Sequence, residues 1–274
     1  MSDAPYQTLF IYYLSGRLSF SEKLGADFIG NWQEEDSSFL FFSSSARYRV
    51  EALVAKHPHL TLEDEYRMSY IDWQGGRTAS ISVGRFHIAP PWLQSTPIDP
   101  DSNRLDILLD PGVVFGNGMH PTTRDCLIAL QALWEKTTPA TVIDLGTGTG
   151  LLALATARLG ARRVLAVDTN FLAIQTTRAN LYRNQLQDRV LAVQGKAENF
   201  VDYPADLLIA NLHFEVMKRI VAVPGFLSKS WSILSGLLRS EARFIAEEVT
   251  RQGALIKHAW DQEGIWHTFL VRSG

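Results

Sequence analysis

Two nearly unbroken apolar runs, each carrying an acid at a telling position, organise the chain. Val142-Ile143-Asp144-Leu145 leads into Gly146-Thr147-Gly148-Thr149-Gly150 and then Leu151-Leu152-Ala153-Leu154-Ala155-Thr156-Ala157, and Val164-Leu165-Ala166-Val167 ends in Asp168. The pattern predicts a buried strand, a tight glycine turn, an amphipathic helix and a second strand. Asn170 is placed to cap a helix through Asn180, and Val190 to Val193, Ala205 to Ala210 and Ser230 to Leu237 read as three further strands. Ser240 to Thr250 reads as helix and Ala254 to Gly274 as a terminal hairpin. Strands alternating with helices from 141 to 250 predict a mostly parallel sheet with helices on both faces.

The first 75 residues follow a different rhythm. Thr8 to Leu14 and Phe39-Leu40-Phe41-Phe42 are rich in β-formers, and Tyr66 to Trp73 is expected to return as a strand. Ala46 to Lys56 sets Val50, Leu53 and Val54 on one helical face, and His57-Pro58 stops it. This predicts a small α+β domain over 1–75 with nothing catalytic in view. The acidic runs Glu34-Glu35-Asp36 and Glu63-Asp64-Glu65 read first as a solvated face. A linker is expected over 76–104: Gly75-Gly76 opens it, Ile81 to Ile88 is a short strand, and Ser95 to Asn103 is loop. The large domain then runs 105–274, beginning with a strand at Leu105 to Leu109 and a helix from Arg124 to Trp134.

Composition narrows the class. The 274 residues are 46% hydrophobic and 20% charged, as in a soluble globular protein of one or two domains. A net charge of −3 leaves no electrostatic footprint for nucleic acid, so no direct nucleic-acid partner is expected. The single cysteine, Cys126, excludes an internal disulfide and sits among Leu127 and Ile128 as a packing residue. The apolar run from Leu9 to Leu14 is too short for a signal peptide, and no stretch approaches the ~18 apolar residues of a membrane span. The chain is expected in the cytoplasm.

The chemistry lies at the ends of the two apolar strands. Alternate glycines let a ligand approach the main chain, and the helix start that follows offers free N–H groups to a carboxylate or phosphate. Asp168, 22 residues after Gly146, is placed to accept both hydroxyls of a ribose. A dinucleotide fingerprint needs its third glycine where Leu151 stands. The form Asp144-x-Gly146-x-Gly148-x-Gly150 instead resembles motif I of S-adenosylmethionine-dependent methyltransferases. Its loop would meet the methionine carboxylate and Asp168 the ribose. Upstream, Asp110-Pro111-Gly112-Val113-Val114-Phe115-Gly116-Asn117-Gly118-Met119-His120-Pro121-Thr122-Thr123 reads either as a surface turn with Thr122 or Thr123 capping the next helix, or as a lid whose threonines reach the cofactor. His120 has no second ligand at usable spacing, so no metal is expected. Asn211, followed by Leu212-His213-Phe214, ends a strand and belongs beside the site.

That loop, motif I and Ala210-Asn211-Leu212 together resemble the ribosomal protein L11 methyltransferase family, a likeness running from Gly84-Arg85-Phe86-His87-Ile88-Ala89-Pro90-Pro91-Trp92 to about residue 250. Leu234-Ser235-Gly236 matches the same family. Asn117 stands where its loop usually carries threonine, and residues 66–83 offer only Trp73 where it carries several tryptophans and a proline. The resemblance implies a Rossmann-like class I fold with a seven-stranded sheet, preceded by a small domain that grips a substrate protein. It implies S-adenosylmethionine contacts at Thr123, Gly146, Asp168 and Asn211, and methylation of lysine side chains and an N-terminal amine. In that chemistry Asn211 and the Leu212 carbonyl would hold the amine, with His213 as an optional proton acceptor. A small-molecule methyltransferase and a non-catalytic cofactor-fold protein remain the alternatives.

Overall fold

Period-two alternation and its absence separate two units in the chain. A computed structural model describes residues 4–18, 24–76, 79–93 and 103–274. One unit comprises Met1–Ala79 with Trp92–Gln94 and Asn170–Leu172, and the other comprises Ser80–Pro91, Ser95–Thr169 and Ala173–Gly274.

The smaller unit holds strands β1 (Thr8–Ser15), β2 (Phe28–Glu34) and β3 (Ser37–Phe42), helix α1 (Arg47–Lys56), strand β4 (Thr61–Ser69) and a helical turn, α2 (Tyr70–Trp73). Its sheet is antiparallel in the order β2-β3-β1-β4. Tyr12, Leu14, Leu40 and Phe42 form one buried face against Val50 and Leu53 of α1, as expected for a half-covered sheet. The strand expected over Tyr66 to Trp73 is corrected. It starts earlier and stops at Ser69, whose hydroxyl accepts the Asp72 N–H at 3.0 Å and starts α2. β2 escaped the sequence reading because its register shifts between Phe28 and Gly30, which erases the alternation.

In the larger unit, β5 (Ile81–Val83) and β6 (Phe86–Ala89) form a hairpin, and β6 runs parallel to β7 (Leu105–Leu108). Val83, Phe86 and Ile88 are buried in this unit's core, so this part of the expected linker is a packed element. The loop expected from Ser95 lies outside the described residues up to 102. Helix α3 (Pro121–Trp134) is followed by β8 (Thr141–Leu145), α4 (Leu151–Leu159), β9 (Arg163–Asp168), α5 (Phe171–Arg183), β10 (Val190–Gln194) and β11 (Leu207–Asn211). Then come α6 (Phe214–Ala222), β12 (Trp231–Leu238), α7 (Arg239–Arg251), β13 (Leu255–Gln262) and β14 (Trp266–Arg272).

Seven strands pair in the order β10-β9-β8-β11-β12-β14-β13, parallel from β10 to β12, with β14 antiparallel to both of its neighbours. The continuous apolar run of β11 follows from burial on both faces. Leu207 and Ile209 join the layer of Leu127, Leu130 and Ile174 from α3 and α5, and Leu208 and Ala210 join Met217, Ile220 and Ile245 from α6 and α7. This is the Rossmann-like α/β fold expected from the sequence. Chain order reverses between β8 and β11, and in such a sheet the crevice at the carboxyl ends of those strands is where ligands bind.

Candidate active site

The glycine turn leaves β8 at that crevice. Gly146, Gly148 and Gly150 have φ of 74°, 56° and 85°. At Gly146 a Cβ would lie 2.2 Å from Leu212 Cδ2, so its lack of a side chain lets the turn and the end of β11 touch.

The amides of the turn are already engaged. Gly146 and Thr147 donate to the Val167 carbonyl at 2.8 and 3.0 Å, and Gly148 donates to Asp168 Oδ2 at 3.0 Å. Thr149 donates to the Phe115 carbonyl at 3.1 Å and Gly150 to that of Thr147 at 2.9 Å. The five amides from Gly146 to Gly150 therefore shape the turn, and the helix start expected to meet a carboxylate follows them at Leu151. Asp144 lies beneath it, 1% exposed, with Oδ2 accepting from Thr147 Oγ1 at 2.6 Å. Burial pushes its carboxyl up to about 7, against the opposing pull of Thr147 and the Ala153 N–H. Asp144 thus fastens the turn to the first coil of α4, while Asp168 stands half-exposed at the rim.

Thr123 and Asn211, 88 residues apart, come together: Asn211 Nδ2 donates to Thr123 Oγ1 at 3.5 Å. With its N–H₂ turned to the threonine, Asn211 presents Oδ1 as an acceptor. Leu212 donates its N–H to the Ser235 carbonyl at 3.2 Å. Gly236, which the sequence reading left out of the site, has φ 87°, and a Cβ there would sit 2.7 Å from the Leu212 carbonyl and 3.0 Å from Asn211 Oδ1. A side chain at residue 236 would therefore collide with both expected amine acceptors. The His213 side chain is exposed and makes no capping bond, and its backbone begins α6.

The capping role expected of Thr122 or Thr123 falls to His120. Pro121 opens α3, and His120 Nδ1 lies 3.4 Å from the Thr122 nitrogen and 2.8 Å from its hydroxyl. Both threonines are buried in the first turn. Burial lowers the His120 pKa, and its ring lies edge-on to Phe115 at 5.4 Å and to Trp266 at 5.0 Å.

The loop before α3 is anchored along its length. Asp110 donates its N–H to Asn180 Oδ1 at 3.0 Å, and Asn180 Nδ2 returns bonds to the carbonyls of Asp110 and Thr149, both at 2.9 Å. Asn184 brackets Leu108 in the same way, at 3.0 and 2.6 Å. Arg183 pairs with Asp110 at 3.0 Å, and Thr149 Oγ1 reaches the Gly116 carbonyl at 2.7 Å. Thr177 and Asn180 of α5 and Asn184 just past its end form a buried polar stripe whose i, i+3, i+7 spacing was legible in the sequence but went unread.

The model of the family described as ribosomal protein L11 methyltransferase (PrmA) matches residues 68–273. The chain belongs to that family. A ribosomal protein L11 methyltransferase of Gloeobacter violaceus is 37% identical over 217 residues, 76% of this chain and 65% of that protein. The protein of the same name from Anoxybacillus flavithermus is 35% identical over 190 residues, 69% of this chain and 59% of its own length. The chain therefore spans under two thirds of the length of these relatives. The crystal structure of the ribosomal protein L11 methylase of Lactobacillus delbrueckii subsp. bulgaricus superposes with a TM-score of 0.62 and 26% identity, covering 71% of this chain and 99% of that one. The human methyltransferase 10 domain containing protein, at 20% identity and a TM-score of 0.50 over 61% of this chain and 89% of its own, shares the fold alone. In this member of the L11 methyltransferase family, no helix among the described residues is long and apolar enough to cross a membrane.

Proposed function

We propose that the chain is an S-adenosylmethionine-dependent N-methyltransferase that modifies an amine, a lysine side chain or an N-terminal amine, on a ribosomal protein in the cytoplasm. The observation that carries the reading is the convergence of Gly146, Thr123, Asn211 and Leu212 at the point where chain order reverses. Family membership supports it. In this reading nucleic acid has no direct part, and the smaller unit, residues 1–75 in the sequence division, is the substrate-gripping domain.

The donor set fits such a cofactor. Its acid, Asp168, stands at the rim with one oxygen fixed by Gly148, as ribose recognition needs, and the turn beside it carries no bulky side chain at Gly146 or Gly148. When bound, the cofactor supplies an activated methyl and a neutral leaving group. The protein's part is to hold a neutral amine in line. Asn211 Oδ1 and the Leu212 carbonyl accept the amine's N–H bonds, which points its lone pair into the crevice. Thr123 fixes the Asn211 amide, and Gly236 keeps the approach open. Water takes the amine's proton. Phe214, half-buried after His213, lies beside the path of a lysine's methylene stem.

The test is incubation with methyl-labelled S-adenosylmethionine and unmethylated ribosomal extract, followed by mass spectrometry. Label on protein L11 is expected. Label confined to small molecules, or none with cofactor binding intact, overturns the reading in favour of a metabolite enzyme or a binding protein.

A further inference from the structure

Asp125 is a carboxylate in an apolar setting. Cys126, Leu127, Ala129, Leu130 and Leu133 of α3 are buried in the core, and Asp125 is itself 1% exposed. One oxygen, Oδ1, accepts from Gln262 Nε2 at 3.1 Å, while Oδ2 is buried without a partner. Burial holds this carboxyl above the usual range, although the Gln262 bond opposes the shift. A half-satisfied acid in a core is costly to keep. Neither oxygen has a part in holding cofactor or amine as described above.

The partner explains the position. Gln262 ends β13, and Glu263 (φ 54°) and Gly264 (φ 67°) then turn the chain sharply into Trp266. The turn is closed by Ile265 N–H on the Gln262 carbonyl at 2.9 Å and by Gly264 N–H on Asp261 Oδ1 at 2.9 Å. Trp266 stands 5.0 Å from His120, the residue that caps α3 three positions before Thr123. Helix α3 thus meets the hairpin tip twice, through an aromatic edge at His120 and a part-buried hydrogen bond at Asp125. An edge contact alone lets a ring slide, whereas a directional bond to a buried acceptor fixes the tip in register.

We propose that Asp125 is a positioning residue: through Gln262 it latches the β13–β14 tip to α3 and holds Trp266 as one wall of the mouth through which a substrate side chain reaches Asn211. The mouth's role rests on the proposed function; the latch itself does not. Cofactor affinity depends on Asp168 and the glycine turn, so loosening the wall weakens capture of the protein substrate and leaves the cofactor alone.

The experiment compares Asp125→Leu, Asp125→Asn, Gln262→Leu and the Asp125→Leu/Gln262→Leu double variant. Methyl transfer to unmethylated ribosomal protein L11 gives KM and kcat, and S-adenosylhomocysteine titration gives cofactor affinity. Asp125→Leu and Gln262→Leu should each raise KM for L11 roughly five- to tenfold, with kcat and cofactor affinity within about twofold of the parent. The double variant should be no worse than either single one, because both remove one bond. Asp125→Asn keeps an acceptor for Gln262 and should remain near the parent. Amide hydrogen exchange at Gly264 to Trp266 supplies a readout that needs no substrate: it should quicken in both leucine variants and not in Asp125→Asn. Unchanged exchange in Gln262→Leu, additive effects in the double variant, or an Asp125→Asn protein as impaired as Asp125→Leu would overturn the proposal. A parent protein that never labels L11 would overturn the function, and exchange would still decide the latch. Should Asp125→Leu not fold, Gln262→Leu, altered at an exposed residue, carries the test.

Discussion

Residues 110–120 and residues 146–150 both cross the carboxyl edge of the sheet and both are rich in glycine, yet different partners hold them. The short turn is fixed by what lies beside it on β9: the Val167 carbonyl takes two of its amides and Asp168 a third. The long loop is held largely by side chains, Asn180 and Arg183 of α5 at Asp110 and Thr149 at Gly116. A backbone-held turn survives most side-chain changes, because main-chain groups cannot be mutated away. A side-chain-held loop hangs on single residues. The two should therefore respond to substitution in opposite ways.

The largest expected effect concerns the acid beneath the short turn. Asp144 titrates near 7 when folded and near 3.8 when unfolded, so between those values the native state holds a proton that the unfolded chain has lost. Stability should fall as pH rises through this window, by on the order of 4 kcal/mol in all. Thermal melts from pH 4 to 8 should show this decline in the parent and a flatter profile in Asp144→Asn; parallel profiles would mean the acid is not the source.

Next comes the long loop. Asn180→Leu strips partners from the Asp110 N–H and from the carbonyls of Asp110 and Thr149, and should cost about 3 kcal/mol in urea unfolding. Asp168→Ala should weaken cofactor binding about 100-fold by calorimetry, and it removes the acceptor of the Gly148 N–H. Near-parental affinity would remove Asp168 from the ribose site. Smallest of all, Asn117→Thr keeps a side-chain acceptor for the Met119 N–H, now at 3.0 Å, and should shift stability by less than about 0.5 kcal/mol. A larger loss would show that the amide does more than close its own turn.

What the sequence displayed of this arrangement depended on how local the cause was. The run from Val142 to Asp168 announced strand, turn, helix and strand because burial on both faces leaves an unbroken apolar signature. Thr123, Gly146, Asp168 and Asn211 were marked by position at strand ends and by family likeness, and the fold brings Thr123 to Asn211 and Gly146 to Leu212. Hidden were the facts set by distant partners. That Val167 would occupy the turn's amides, that His120 rather than a threonine would cap α3, and that Gly236 would face Leu212 all depend on tertiary approach. Helix α6 was missed although Met217, Ile220 and Val221 share a face, because at Phe214–Ala222 it is short and opens directly after the Asn211 segment.

The strand order β12-β14-β13 carries a consequence for how the molecule is made. β14 is threaded between two strands that precede it in the chain, so β12 presents a bare, hydrogen-bonding edge until the hairpin has been synthesised. Ser235 has no Thr268 hydroxyl to meet, 2.6 Å away, before then. A nascent chain halted anywhere between β12 and β14 would already have built the glycine turn and Asn211 while exposing a sticky flank beside them. Folding of this chain would thus depend on the ribosome finishing promptly.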